Sequence, residues 1–385
     1  MLRGRARAIA GVPAAVVAGL IVSLVPPVGA SAASSPPIPL LRTEMRALVR
    51  SGVPGVLVRV QHNGNAVELA AGAARVSPME RARPGERFRI ASVTKTFVAT
   101  VVLQLVAEGK LALGDHVGRF LPGLIEDGGM VTVRELLNHT SGLPDFANVP
   151  AISSAFGQGG TKKSWTPRQL IALIRNGPRH TPGLAWSYSS TNYVILGLIV
   201  EKVTGRPLAD VLRARIFSPL GLRATSFDSA SQIAGPHLDG YVQVTGTGLR
   251  RVTGFLPSTA WAAGAAVSNA ADVARFLQAL LGGRLLAPAQ LHEMRTTVSR
   301  GATDPGEGYG LGLMRSRTFG FPDQVPPTSC GFAWGHTGDV AGYMALAFSS
   351  GDGSRQVVIA INTEVRTPRG AMALSRLFDT AYCHS

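Results

Sequence analysis

Ser92-Val93-Thr94-Lys95 opens an apolar, helix-patterned stretch that runs to about Glu108. A serine and a lysine three residues apart share one face of a helix, so the amine can reach the hydroxyl. A free serine is a weak nucleophile and needs a base beside it; a buried lysine with a depressed pKa can serve. The S-x-x-K spacing alone recurs by chance in many helices, so its weight depends on what else the chain carries.

Outward from that stretch, Arg87 to Ala91 predicts a short strand that delivers Ser92 to its helix. Further back, Gly55 to Gln61 and Ala66 to Ala71 predict a hairpin around His62-Asn63-Gly64-Asn65, and Leu40 to Arg50 has helical spacing. The middle of the chain is mostly helical by pattern: Val133 to Leu137, Pro167 to Asn176, Thr191 to Thr204, Leu208 to Ile216 and Ala270 to Leu281. Gly246 to Gly254 is expected to be a loop. Strands return at Gly310 to Arg315, Phe332 to His336, Gly342 to Ser349 and Gln356 to Ile361, before a closing helix at about Arg369 to Tyr382. Strands at both ends with helices between them imply an α+β sandwich. Its antiparallel sheet is built from about 33–91 and 300–385, and an all-helical lobe from about 92–299 is inserted in sequence.

The 385 residues are 45% hydrophobic, enough for substantial cores. Residues 1–32 have the pattern of a Sec-type secretory signal. Arg3, Arg5 and Arg7 precede an apolar run from Ile9 to Val25, then a Pro26-Pro27 break and Ala30-Ser31-Ala32. An uncleaved membrane anchor is the alternative, since the run is nearly long enough to span. The break and the A-x-A pattern favour cleavage, leaving 33–385 as one exported, bacterial, soluble and monomeric domain. Loss of the three arginines lowers the formal net charge from +15 to +12. The basic residues are scattered and not interleaved with aromatics, which argues against nucleic-acid binding. A positive surface suits an anionic cell envelope or acidic substrates. In an exported protein the two cysteines, Cys330 and Cys383, can form a disulfide pinning the last helix near Trp334; two buried thiols are the alternative.

Two further motifs accompany Ser92-x-x-Lys95. Tyr188-Ser189-Ser190 lies in a loop leading into the helix from Thr191, and Gly335-His336-Thr337-Gly338 ends a predicted strand. Together they resemble the three signatures of the penicillin-recognising serine hydrolases, the superfamily of penicillin-binding proteins and serine β-lactamases. The His-x-Gly third motif narrows the resemblance to the class C β-lactamase-like branch, closest to secreted D-alanyl-D-alanine carboxypeptidase/transpeptidases. Leu136 to Leu143, Tyr309 to Leu313 and Ser329 to Tyr343 extend it over nearly all of the mature chain.

The resemblance implies a β-lactamase/transpeptidase-like fold and an acyl-enzyme on Ser92, with Lys95 and Tyr188 sharing the proton work. It implies an oxyanion hole from the backbone N–H groups of Ser92 and Asp339. His336 would tune the charge around Tyr188, Thr337 and Gly338 would face the substrate, and Ser190 would touch its acyl-side amide. No metal or organic cofactor is required. His139 is expected to brace the helical lobe, not to catalyse. Trp261 either walls the acyl pocket or packs in the core.

The chain departs from its relatives where they grip a terminal carboxylate with an arginine and two threonines. Met314 stands at the arginine position with Arg315 beside it, and Asp339 replaces the second threonine. Two like charges about 4 Å apart repel by roughly 4 kcal/mol at an effective dielectric near 20. A one-residue bulge bringing Arg315 inward would offset that. The expected function is an exported serine hydrolase of the D-Ala-D-Ala carboxypeptidase type, acting on peptidoglycan stem peptides. The alternatives are an esterase or D-amino-acid amidase, a β-lactamase, or a non-catalytic penicillin sensor, which would be expected to carry an anchor and a signalling domain.

Overall fold

Asn63-Gly64 makes the first reversal of the chain. Both residues take positive φ, 48° and 85°, as a two-residue type I′ turn requires. Across it β1 (Gly55–His62) pairs with β2 (Asn65–Arg75) in the register His62↔Asn65 to Gly55↔Gly72. The structure, a computed structural model, describes residue 1 and residues 37–384 apart from 127, 158–162, 176–178, 228–230, 245, 247, 255–256, 302–306 and 320–326. The expected leader, 1–32, lies outside the described residues but for Met1.

The other strands are β3 (Glu80–Arg81), β4 (Phe88–Arg89), β5 (Tyr241–Val244), β6 (Gly248–Arg251), β7 (Val267–Ser268), β8 (Val298–Ser299), β9 (Gly308–Tyr309), β10 (Met314–Ser316), β11 (Ala333–Val340), β12 (Tyr343–Ser349) and β13 (Arg355–Ile361). Nine of them form one antiparallel sheet in the order β3-β2-β1-β13-β12-β11-β10-β9-β8. The last strand thus inserts beside the first, so the two ends of the chain share one sheet, as the pattern predicts. β12 is buried at every residue and β13 at all but one, because both faces of the sheet are covered.

One face carries Val56, Val58, Leu346, Phe348, Ile359 and Ile361 against the terminal helices Ile38–Arg50 and Pro368–Cys383. The opposite face, with Leu57, Ala345, Ala347, Val358 and Ala360, meets the helical core and is crossed by the helix Ala270–Leu281. The helix Thr94–Ala107 is apolar all round, so it is buried on nearly every side, and Ser190–Thr204 behaves alike. The cysteines are joined, Cys330 to Cys383, which ties the end of the last helix to the approach to β11.

Several expectations change. Of Arg87 to Ala91 only β4 is strand, and it pairs with β7 outside the large sheet, because Ala91 already turns to φ 48°. Gly310–Leu313 is a turn between β9 and β10, not strand: Gly312 has φ 77°, and a side chain there would meet Ala99 and Tyr193. β11 runs on to Val340, so the His336 motif lies within the strand and not at its end. Part of the expected loop at Gly246 to Gly254 is β6, paired with β5, so the inserted lobe contains small ribbons as well as helices. The helix Pro167–Ala172 is shorter than expected, and Asn176 lies outside the described residues. The helix from Leu208 continues through a π turn, Arg213–Phe217, to Leu220. The helices Pro150–Gly157 and Pro288–Arg295 have no counterpart in the predicted pattern. Among the described residues no helix is long and apolar enough to cross a membrane.

Candidate active site

Ser92 is set by two backbone constraints. Ile90 donates its N–H to the Ala266 carbonyl at 3.1 Å, and Ala91 then takes the left-handed conformation. That conformation is costly for a residue with a Cβ, and here the surrounding contacts hold it. The turn Ala91–Val93 leads directly into Thr94–Ala107. β11 presses against this turn at Gly338, where a Cβ would stand 2.2 Å from the Ile90 oxygen. Only glycine allows the strand edge so near the nucleophile. That approach sets the Asp339 backbone beside Ser92, as the expected oxyanion hole needs.

Lys95 is wholly buried, with Nζ 2.9 Å from Ser92 Oγ and 2.8 Å from the Ala263 carbonyl. Burial pulls its ammonium down to about 7, and the Asp145 carboxylate works against that. Roughly half of such a lysine is free amine at pH 7, against about one part in a few thousand for an ordinary one. The amine also lies 4.9 Å from the centre of the Tyr188 ring. Burial raises the Tyr188 phenol well above its ordinary value; its hydrogen bond with Ser92 opposes this and Asp145 adds to it. The pair therefore rests as amine and phenol. The phenolate that the motif leaves open is disfavoured.

His336 is buried and brought down to about 3, by burial first and by the nearby Lys95 second. It is neutral at physiological pH. Its Nδ1 faces the Thr337 carbonyl and so carries the proton, which leaves Nε2 to accept from the Tyr309 hydroxyl at 2.8 Å. Tyr309 is bonded in turn to Tyr193, whose hydroxyl donates to the Leu137 carbonyl at 2.9 Å. His336 thus adds no positive charge beside Tyr188 but ends a neutral hydrogen-bonded chain. His139 sits among the same rings, 4.4 Å from Tyr188 and 4.7 Å from Tyr309 between centroids. Its Nδ1 accepts from the Ser189 backbone N–H at 3.2 Å and lies 3.1 Å from the Asn192 amide. These contacts make it a brace for the tyrosine loop.

Ser190 opens the helix Ser190–Thr204, and both its N–H and its hydroxyl donate to Asp145. Burial pushes that carboxyl up, against these bonds and Lys95. The serine's donor is thereby used within the protein; its lone pairs remain to accept a substrate N–H. Trp261 packs on Gly197, where a Cβ would come within 2.7 Å of the ring. Its turn, Trp261–Ala263, also supplies the carbonyl that holds Lys95. Asp145, Ala263 and Tyr309 are the site residues that the motifs do not mark. Tyr309 opens the family-like Tyr-Gly-Leu-Gly-Leu run and was the one with a signal to follow.

On β11, Thr337 and Asp339 pair with Leu346 and Met344, so both point to the face opposite His336 and Gly338. Met314, opposite Gly335, shares the Thr337 face, with its sulfur 3.8 Å from the Thr337 hydroxyl. Arg315 does not. It is opposite Trp334 in a regular register with no bulge, and its guanidinium stacks on Phe332 at 3.8 Å. The inward arginine that a bulge would provide is not formed. A cavity of about 590 Å³ lined by Gly118, Arg175 and Arg179 holds none of these groups. Among the described residues no cluster of His, Cys, Asp and Glu could hold a metal.

A family model described as Beta-lactamase matches residues 41–382. The chain is 31% identical over 287 residues to the esterase EstB of Burkholderia gladioli, covering 65% of this chain and 73% of that one. It is 32% identical over 279 residues to penicillin-binding protein 4 of Amycolatopsis lactamdurans, covering 67% and 71%. A D-stereospecific amidohydrolase from Streptomyces sp. superposes with a TM-score of 0.80 at 35% identity, over 90% of this chain and 99% of that one.

Proposed function

The chain belongs to the Beta-lactamase family, whose members are serine hydrolases, and on that premise we propose that it cleaves amide or ester bonds through an acyl-enzyme on Ser92. The observation that carries this is the contact of 2.9 Å between Ser92 Oγ and a buried Lys95 held near neutrality. Lys95, as free amine, accepts the Ser92 proton while Oγ bonds to the substrate carbonyl carbon. The Ser92 and Asp339 N–H groups stabilise the oxyanion. The Tyr188 phenol hands a proton to the departing nitrogen or oxygen as its bond to carbon breaks, and the Lys95–Tyr188 pair is left to re-equilibrate. Water then attacks the acyl-enzyme, yields its proton to the same pair and releases the acid with Ser92 restored.

Two substrate readings follow. Hydrolysis of D-aminoacyl amides or esters is favoured by Met314 at the carboxylate-gripping position and by the outward stacking of Arg315 on Phe332. The likeness to a D-stereospecific amidohydrolase and to an esterase supports it. D-Ala-D-Ala carboxypeptidase action on peptidoglycan is the second reading, favoured by the full set of three motifs. In either reading residues 1–32 act as a cleavable export signal, which predicts an exported protein whose N-terminus lies near residue 33. Ser92→Ala should abolish covalent labelling by a fluorescent fluorophosphonate. Labelling of that variant at the wild-type rate would remove Ser92 from the mechanism. A β-lactamase would show itself by turnover of nitrocefin, and a sensor by labelling without turnover of any substrate.

A further inference from the structure

The face of β11 that carries Thr337 is where a leaving group lies in the acyl-transfer reading above, and this inference rests on that reading. Two side chains on this face differ in kind from a carboxylate grip: Met314, in contact with Thr337, and Asp339, two residues along the strand and exposed. The charges that act on Asp339 are those of Glu364 and Arg366. Those two are bonded to each other, Arg366 Nε to Glu364 Oε2 at 2.7 Å, so the arginine's charge is already matched. Arg315 is turned away on Phe332, and Arg300 is paired with Glu307 at 2.8 Å. The net charge left at the leaving-group end is that of Asp339.

We propose that Asp339 makes the leaving-group side of the cleft select neutral and cationic departing groups and reject those that end in a free carboxylate. The amide or ester bond breaks as described, and the proton still reaches the departing nitrogen or oxygen through Tyr188. What Asp339 changes is which leaving group settles there. A departing amine that bears a second, protonated amine gains attraction, an uncharged amide or alcohol is indifferent, and a C-terminal amino acid is repelled. Crowding by the cleft wall first, then Glu364, pushes the Asp339 carboxyl up, while its contact with water limits the effect. The selection therefore strengthens as the solution becomes more alkaline.

The test compares three acyl-D-alanyl substrates at pH 8 that differ only in the departing group: D-alanine, D-alaninamide and mono-protonated ethylenediamine. Each is followed by hydrolysis and by competition against fluorophosphonate labelling. The ethylenediamine and alaninamide compounds should exceed the D-alanine compound in kcat/KM, or in competing strength, on the order of tenfold to a hundredfold. In Asp339→Asn the cationic-to-anionic ratio should fall about tenfold, and in Met314→Arg it should fall by a similar or larger factor. A wild-type preference for the free carboxylate, or a ratio unmoved in both variants, would overturn the proposal while leaving the hydrolase reading intact. Absence of labelling at Ser92 would remove the hydrolase reading and this one with it.

Discussion

Burial acts on both partners of Ser92, drawing the Lys95 ammonium towards free amine and holding the Tyr188 phenol neutral. Lys95→Ala should slow acylation by about two orders of magnitude or more, measured as the rate of fluorophosphonate labelling. In the wild type that rate should rise with pH through about 7, where the amine form appears, and the variant should lack this limb. The same shift has a stability cost with a definite sign. The folded pKa lies below the unfolded one, so between about 7 and 10.5 the unfolded chain binds the extra proton. Stability therefore rises with pH across that window, and the cost is fully present below it. Lys95→Met should raise the thermal midpoint near pH 7 while abolishing labelling, in scanning calorimetry. A lowered midpoint would mean that the bonds to Ser92 and Ala263 outweigh the desolvation. Ser92, Lys95 and Tyr188 were legible because their side chains carry the chemistry at a set spacing. The Ala263 carbonyl was not, since every residue has one and only the folded turn aims it.

At the scale of elements, β11 and the Ala91–Val93 turn form the working edge, and Gly338 is their point of contact. Gly338→Ala would force its Cβ against the Ile90 backbone, where a contact of 2.2 Å has no flexible side chain to yield. The strand must shift from Ser92, so acylation should drop by about a hundredfold or more, while circular dichroism shows the fold retained. Wild-type labelling kinetics in this variant would show that the close approach is dispensable. Thr94–Ala107 and Ser190–Thr204 could be read from sequence because a helix apolar on all sides declares its own burial. Gly310–Leu313 could not, because a Gly-Leu alternation matches a strand period until the packing of Gly312 against Ala99 and Tyr193 bends it into a turn. The reach of β11 was also hidden. Its extension to Val340 depends on pairing with β12, a contact between segments and not a property of either.

For the whole molecule, the Cys330–Cys383 bond closes a loop of 53 residues and ties the last helix to the approach to β11. Cys383→Ser should lower unfolding stability by about 2–4 kcal/mol in denaturant titration, with labelling of Ser92 kept. An unchanged midpoint would mean that the helix is held by its apolar face alone, through Leu374, Leu377 and Phe378. The sequence by itself determined the hairpin at Asn63-Gly64, the meeting of both chain ends in one sheet, and the identity of the nucleophile and its lysine. Each depends on local patterns: a turn that needs positive φ, alternating or continuous apolar runs, and two side chains one helical turn apart. Only the tertiary structure decided that His336 is neutral, that Ser190 gives its proton to Asp145, and that Arg315 turns out to Phe332 and leaves Met314 beside Thr337. The reason is physical. Protonation follows from burial, and side-chain direction follows from strand register; both are set by segments that are distant in sequence and meet only in the folded chain.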